Sequence, residues 1–249
     1  MVETTQQPEG PQPEGPQPES LQPESRRLRT FLRFDKVERT VHWVNAALFG
    51  ILIVTGAALY LEPVSALIGR RHLVEEIHVY CGLALPVPIV AALAGRWGRG
   101  LRADFRRFNR WSDDDRVWIR AVGAGRERRL AVRRHLRLGK FNAGQKLNAV
   151  FTGGSILVLL ATGTIMRWYH PWPLSFRTGS TFVHDWLSLA VVAAIAGHIA
   201  YAMRDPHAMR AMRSGVVGAA WAARHAPAWL AEMEALEGDV GPPSSAPRR

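Results

Sequence analysis

Four apolar stretches, each about 20 residues long, constrain the fold of this chain more than any other feature of its sequence. They cover residues 41–61, 73–95, 147–166 and 182–203, and charged residues collect between them. About 20 apolar residues in a helix cross the ~30 Å hydrocarbon core of a bilayer, and a helix satisfies its own backbone polar groups there. The sequence therefore predicts an all-α fold, a four-helix transmembrane bundle.

Basic residues flank these stretches and account for the formal net charge of +11. They precede the first stretch, fill the long segment 96–146 and follow the fourth stretch, whereas the other two loops carry fewer of them. Because Lys and Arg accumulate in cytoplasmic loops, we expect a multi-pass protein of the inner (plasma) membrane with both termini and the long segment in the cytoplasm. The charge is thus explained by the lipid bilayer, and no nucleic-acid partner is expected.

The composition outside the stretches predicts four parts of the chain. Residues 6–25 repeat a Pro- and Glu-containing pentapeptide four times, so residues 1–30 are expected to form a disordered arm. The membrane domain is expected over 31–205, an interfacial amphipathic helix over 206–237 and a disordered tail over 238–249.

Three local signals refine this outline. Ser112, followed by three aspartates, predicts the start of a helix on the cytoplasmic surface within the long segment. Pro86 and Pro88 predict a kink in the second membrane helix. The single cysteine, Cys81, excludes an intramolecular disulfide and a cysteine-ligated iron–sulfur cluster within this chain.

Four histidines lie within or at the ends of the apolar stretches: His42, His78, His184 and His198. Ionisable residues at membrane depth are costly and are usually functional. With the N-terminus inside, His42 and His198 share the cytoplasmic depth, while His78 and His184 share the outer depth. The fourteen residues between His184 and His198 span roughly 21 Å on nearly one helix face.

Each level supplies one imidazole from each of two helices, which is how helical bundles hold a planar macrocycle. A bare transition metal would need three or four ligands, and two histidines per level do not supply them. The pattern therefore favours two haems b, with all four histidines as ligands of haem iron. Gly56, Gly82 and Gly197 are candidates for the positions without bulk that a macrocycle requires, although glycines also allow membrane helices to pack closely.

The run GKFNAGQK, residues 139–146, stands directly before the third stretch, near the level of His198. Its amide donors at the lipid boundary predict a binding site for the carbonyl group of a quinone. Asn and Gly before a helix more commonly form a turn and a helix cap, so this alternative stays open.

Several of these residues carry a family resemblance. The GKFNAGQKLN run at 139–148, the fourteen-residue spacing of His184 and His198, and the tail residues Trp221, His225 and Trp229 resemble the cytochrome b (gamma) subunit of membrane-bound formate dehydrogenases, within the bacterial dihaem cytochromes b. The likeness covers approximately residues 34–237.

The resemblance implies four membrane helices with two haems b, ligated by the pairs His42/His198 and His78/His184. It further implies reduction of menaquinone near the inner haem through Asn142, Gly144 and His198, with Gln145 as an added neighbour; ubiquinone is the other candidate substrate. The implied partners are an iron–sulfur electron-transfer subunit and a molybdenum- or tungsten-containing catalytic subunit on the outer face. The chain itself is then an electron-transfer and quinone-reducing subunit that does not oxidise formate alone.

Three alternatives remain. The same dihaem core serves hydrogenases and other molybdenum oxidoreductases. A haem or metal permease would need more polar residues within the stretches than the acids near their edges, Glu75, Glu76 and Asp185. A cofactor-free membrane anchor would not require histidines matched in depth.

Overall fold

The computed structural model of the chain describes residues 29–122, 124 and 135–239. The proposed disordered arm, apart from its last two residues, and residues 240–249 of the proposed tail lie outside the described residues. The described residues are mostly helical, and four helical segments are long and apolar enough to cross a membrane. The prediction of a four-helix transmembrane bundle is therefore confirmed.

The first half of the chain contains spans 1 and 2. Strand β1 (Thr30–Leu32) precedes span 1, which is helix α1 (Lys36–Tyr60), and a short helix α2 (Glu62–Ile68) follows it. Span 2 consists of α3 (Arg71–Ala84) and α4 (Val87–Ala94).

The interruption of span 2 lies where the prolines predict it. Pro86 has no backbone N–H to donate, and the residue before Pro88 begins the second piece of the span. The chain continues after this turn as α4, so the helix is interrupted at the predicted place and the two pieces together form one candidate span, Arg71–Ala94.

The long segment between spans 2 and 3 contains α5 (Arg99–Phe108) and α6 (Asp113–Val122). Ser112 and Asp115 close a reciprocal cap, in which Asp115 N donates to Ser112 Oγ at 3.2 Å and Ser112 N donates to Asp115 Oδ2 at 3.0 Å. The predicted helix start at Ser112 is thereby confirmed.

Spans 3 and 4 are single helices, α7 (Ala143–Arg167) and α8 (Leu174–Met203). Span 1 packs on span 2 and span 3 packs on span 4, with a further contact between spans 2 and 3. Their outward surfaces are rich in exposed large apolar side chains, including Val54, Val90, Leu157 and Leu189. Such a surface requires lipid around it.

The tail differs from the predicted single amphipathic helix. It folds as α9 (Pro206–Ser214), β2 (Val216–Gly218), α10 (Ala219–His225) and α11 (Pro227–Asp239). Gly215 adopts φ 92°, a left-handed conformation that ends α9, and Pro227 starts a new helix after Ala226. The expected single helix is wrong in this respect, because the segment folds as three helices and a strand and buries Trp221 and Trp229 in protein.

The protein partner of this segment is the N-terminal strand. β2 pairs antiparallel with β1, with Phe31 opposite Val217. Phe31, Val217, Trp221 and Trp229 form a buried cluster in which each side chain is at most 5% exposed. The N-terminal strand, the tail and the long segment thus meet at one end of the bundle, called here the terminal end; the opposite end carries α2 and the turn at 168–173.

Candidate functional site

The structure brings the four membrane histidines together in the two pairs predicted from depth. The ring centroids of His42 and His198 lie 6.3 Å apart at the terminal end, and those of His78 and His184 lie 6.4 Å apart at the opposite end. Each pair joins one helix of the span 1–2 hairpin to span 4, across the interior of the bundle.

These separations fit two imidazoles on opposite sides of one metal. An imidazole nitrogen binds a transition metal at about 2.0–2.1 Å and the ring centre lies roughly 1.1 Å behind it, so two opposed rings have centres roughly 6.3 Å apart. Direct packing of two rings against each other would not require this distance at both ends of the bundle. The two pairs therefore have the spacing of axial ligands.

The donor set restricts which metal centre fits. No group of three or more His, Cys, Asp and Glu side chains converges anywhere in the part of the chain that the structure describes. Two nitrogens per level are too few for a structural zinc or a carboxylate-bound metal. They suit a centre whose remaining ligands come from a macrocycle, as in haem.

Two threonines contact the histidine pair at the opposite end. Thr55 Oγ1 lies 2.9 Å from Nδ1 of His78, and Thr162 Oγ1 lies 2.9 Å from Nδ1 of His184. Both threonines are 9% exposed. Sequence reasoning missed them. Each is followed by glycine, but the same dipeptide also occurs at residues 152–153 and 178–179, so it does not by itself single out these two threonines.

The glycines of those dipeptides lie against the ligand rings. A Cβ atom at Gly56 would lie 3.4 Å from Cε1 of His78, and one at Gly163 would lie 3.2 Å from Cε1 of His184. Gly56 was a predicted site of close approach and Gly163 was not considered. Of the other two candidates, a Cβ at Gly82 would meet only the Leu52 side chain at 3.9 Å, an ordinary packing distance, and one at Gly197 would meet nothing within 4 Å.

The predicted quinone residues form the start of span 3. Gln145 N donates to Asn142 Oδ1 and Asn142 N donates to Gln145 Oε1, both at 3.0 Å. This reciprocal cap is the alternative that the sequence left open, and the structure shows it. It uses the oxygen of each amide and leaves Asn142 Nδ2, a donor, without a hydrogen bond to the described residues.

Gly144 has a packing reason of its own. A Cβ at this position would lie 2.6 Å from Cη2 of Trp118 in α6, closer than side chains tolerate. The indole of Trp118 therefore covers the first turn of span 3, and only glycine admits it there.

Two buried lysines bond this turn to other elements of the terminal end. Lys140 Nζ donates to Glu38 Oε1 at 3.0 Å and to Asp104 Oδ2 at 2.6 Å. Lys146 Nζ donates to Asp115 Oδ2 at 2.6 Å and to the carbonyl oxygen of Arg110 at 2.7 Å. Sequence reasoning assigned neither lysine a role.

The Lys140 cluster also places the turn beside a histidine ligand candidate. Glu38 and His42 are four residues apart in α1, so they lie on one helix face about 6 Å apart along the axis. Phe141 stacks near Phe108 of α5, with ring centroids 4.6 Å apart. The turn at 140–145 is thus held at the end of the bundle that carries the His42/His198 pair.

Burial changes the pKa of a carboxyl group in the cluster formed by Lys140, Glu38 and Asp104. Desolvation raises the pKa of the Asp104 carboxyl to about 7, the hydrogen-bonded Glu38 carboxyl acts in the same direction, and Lys140 opposes both. Two carboxyl groups face one ammonium, so the second carboxyl holds its proton close to neutral pH.

Comparisons with known proteins agree with this geometry. Over 218 residues, the chain is 26% identical to the formate dehydrogenase cytochrome b556(fdo) subunit of Escherichia coli K12, covering 84% of this chain and 95% of that protein. It is 24% identical over 220 residues to the nitrate-inducible formate dehydrogenase cytochrome b556(Fdn) subunit of the same strain, covering 84% and 94%. A formate dehydrogenase cytochrome b556 subunit of Haemophilus influenzae is 24% identical over 217 residues, covering 84% and 87%.

The family description of prokaryotic cytochrome b561 matches residues 33–215, which include all four spans and all four membrane histidines. The match begins directly after the end of β1 and ends at Gly215, where α9 stops. Because this match covers most of the chain, the chain belongs to the prokaryotic cytochrome b561 family.

Proposed function

We propose that this chain, whose family implies haem b, binds two haems b and serves as the membrane cytochrome b subunit of a formate dehydrogenase complex. His42 and His198 would hold one haem at the terminal end, and His78 and His184 the other at the opposite end. The observation that carries the proposal is the pair of ring separations, 6.3 and 6.4 Å, at two levels of one bundle.

Haem, when bound, supplies reversible one-electron chemistry at iron, and the chain supplies the ligands and the surroundings that adjust it. The histidines lie on helices from both hairpins, so each ligand pair ties the two halves of the bundle together. Thr55 and Thr162 orient the rings of one pair.

We propose the first turn of span 3 as the quinone site. Asn142 Nδ2 is a donor that the helix cap leaves available to a quinone carbonyl, and the cap holds the side chain in one orientation. Lys140 and Lys146 fix the turn through buried contacts to Glu38, Asp104 and Asp115. Menaquinone or ubiquinone would reach this turn from the bilayer.

The orientation and partners complete the proposal. The basic terminal end would face the cytoplasm, as the distribution of Lys and Arg favours. The opposite end would receive electrons from an iron–sulfur subunit, and a molybdenum- or tungsten-containing subunit would oxidise formate. The relatives named above are themselves subunits of formate dehydrogenases, which supports formate as the source of electrons.

Haem content tests the ligand assignment. A pyridine haemochrome assay on the purified chain should give two haems b per polypeptide. His184→Ala and His198→Ala should each remove one haem and leave the other visible in the reduced spectrum, and His170→Ala, outside both pairs, should remove neither. Retention of both haems in either ligand variant would overturn the assignment.

The quinone site needs a variant that separates binding from capping. Asn142→Asp keeps a side-chain oxygen for the cap and removes the Nδ2 donor, whereas Asn142→Ala removes both. Both variants should slow reoxidation of the reduced haems by a quinone analogue, and Asn142→Asp should keep the wild-type thermal stability. Wild-type reoxidation rates in both variants would exclude this site.

The electron donor is tested in the intact complex. In membranes from the native organism, formate should reduce both haems, and the chain should co-purify with an iron–sulfur protein and a formate-oxidising subunit. Reduction by hydrogen but not by formate would assign the chain to a hydrogenase instead.

A further inference from the structure

The hydrogen bonds of the two ligand pairs differ, and this difference assigns a role to two threonines. We propose that Thr55 and Thr162 are positioning residues that fix the ring orientation and raise the basicity of the ligands of one haem only, the haem held by His78 and His184. The inference rests on the proposed haem ligation and goes beyond it, because it makes the two haem sites electronically unequal.

The threonine hydroxyls decide which ring nitrogen carries the proton. Thr55 Oγ1 donates to the carbonyl oxygen of Ile51 at 2.7 Å, and Thr162 Oγ1 donates to that of Val158 at 2.8 Å. A carbonyl oxygen only accepts, so each hydroxyl hydrogen is used within its own helix. Towards the histidine the oxygen must then accept, and the donor is the Nδ1–H group.

The opposite ring nitrogen is therefore left bare. With Nδ1 protonated, Nε2 of His78 and of His184 presents a lone pair, and the neutral imidazole is in the tautomer that binds iron through Nε2. When the ring N–H that does not bind the metal donates a hydrogen bond, it fixes the ring of the ligand histidine and makes the ligating nitrogen more basic. Both effects act before the cofactor arrives, because the threonines belong to the protein scaffold.

The same arrangement of a threonine and a glycine against a histidine ring occurs twice. Thr55 and Gly56 in span 1 face His78, while Thr162 and Gly163 in span 3 face His184. In each case the hydroxyl holds one edge of the ring and the adjacent glycine leaves room for its Cε1 atom. The two ligands of this haem are therefore constrained in an equivalent way from two different helices.

The other pair lacks this arrangement. Within residues 29–122, 124 and 135–239, no side chain or carbonyl forms a hydrogen bond with a ring nitrogen of His42 or His198. A more basic ligand stabilises ferric iron over ferrous iron and so lowers the reduction potential. The threonines would thus hold the His78/His184 haem at the lower potential, and electrons entering at this end would move downhill to the terminal end.

A second backbone carbonyl of the same helix lies beside each threonine hydroxyl. Thr55 Oγ1 lies 3.3 Å from Leu52 O, and Thr162 Oγ1 lies 3.3 Å from Leu159 O. Because the histidine itself remains, removal of a threonine hydroxyl is expected to shift the properties of the haem instead of releasing it completely.

The test replaces each hydroxyl by a methyl group of the same size. In the full chain loaded with haem, Thr55→Val and Thr162→Val should each raise the midpoint potential of one haem in a redox titration and leave the other unchanged. The low-spin ferric EPR signal of that haem should move with it. The affinity for that haem should fall by on the order of tenfold, the lower end of losses seen when an outer partner of a metal-bound histidine is removed.

Two further variants separate positioning from packing. Thr162→Ser keeps the hydroxyl and should restore the wild-type potential and EPR signal. Thr164→Val is the matched control, because Thr164 lies in the same helix and donates to Leu160 O at 2.7 Å without facing a histidine. It should leave both haems unchanged.

The outcomes are distinguishable from failure of the haem proposal itself. Two haems per chain with unchanged or lowered potentials in Thr55→Val and Thr162→Val would overturn the role of the threonines and leave the ligand assignment standing. A shift of equal size in Thr162→Ser and Thr162→Val would also overturn it. A wild-type chain without haem would instead reject the function on which this inference rests.

Discussion

Lys140 Nζ donates a hydrogen bond of 2.6 Å to Asp104 Oδ2, and both side chains are only 5% exposed. Glu38 accepts a second bond from the same ammonium group. One lysine thereby joins span 1, the long segment and the turn before span 3. The quinone site proposed above depends on this junction, because Lys140 directly precedes the residues of that turn and bonds to both other elements.

Removal of the ammonium should destabilise the terminal end. Lys140→Met leaves two buried carboxyl groups facing each other without a cation, and breaking a buried pair in this way costs about 3–5 kcal/mol. The measurement is thermal unfolding of the purified protein in detergent, followed by loss of haem absorbance. Lys36→Met removes an exposed lysine of span 1 and serves as the control, which should unfold like the wild type. Equal unfolding of the two variants would contradict a structural role of Lys140.

The raised pKa of Asp104 predicts a titration near neutral pH. Because its pKa in the folded protein is about 7 and that of an unfolded aspartate is about 4, the contribution of this group to stability is complete below pH 4. It decreases as the pH rises to about 7 and stays constant above that. Infrared difference spectra should show a protonated carboxyl band that disappears near pH 7. Asp104→Asn should lack the band, and a band that persists in this variant would assign it to another carboxyl.

The two glycines beside the ligand rings should respond unequally to alanine. A Cβ at Gly163 would lie 3.2 Å from His184 and must displace the ring slightly, whereas a Cβ at Gly56 would lie 3.4 Å from His78 and fits at ordinary contact. Gly163→Ala should therefore broaden or shift the EPR signal of one haem at a cost of about 1–3 kcal/mol. Gly56→Ala should change the same signal less. The reverse order of effects would show that the described ring positions do not hold in the loaded protein.

Alanine at Gly144 should loosen the start of span 3. The new Cβ would lie 2.6 Å from the Trp118 ring, and forcing the indole away costs about 1–3 kcal/mol. Fluorescence of Trp118 should shift and thermal stability should fall. Gly153→Ala is a matched control in the same helix, where a Cβ meets nothing within 4 Å, and it should leave Trp118 fluorescence unchanged. An identical response of the two variants would exclude the close contact.

The number of spans, the interruption of span 2 and the pairing of the histidines were predictable because each depends on a local sequence pattern. Apolar length decides which segments enter a bilayer, and helical rise converts sequence position into depth. The same reasoning gave the wrong structure for the tail. Its alternating Trp, Leu and Arg residues are compatible with a lipid surface, but Trp221 and Trp229 pack on Phe31, nearly two hundred residues earlier in the chain.

By itself, then, the sequence determined that the chain crosses a membrane four times and carries two matched pairs of imidazoles, since hydrophobicity and periodicity act over short distances. Only the tertiary structure decided which groups contact those imidazoles and the turn before span 3. Lys140 meets Glu38 across 102 positions and Asp104 across 36, and Thr55 meets His78 across 23. These contacts depend on how the helices pack. The periodicity of a helix predicts the direction of a side chain but not the residue that it contacts.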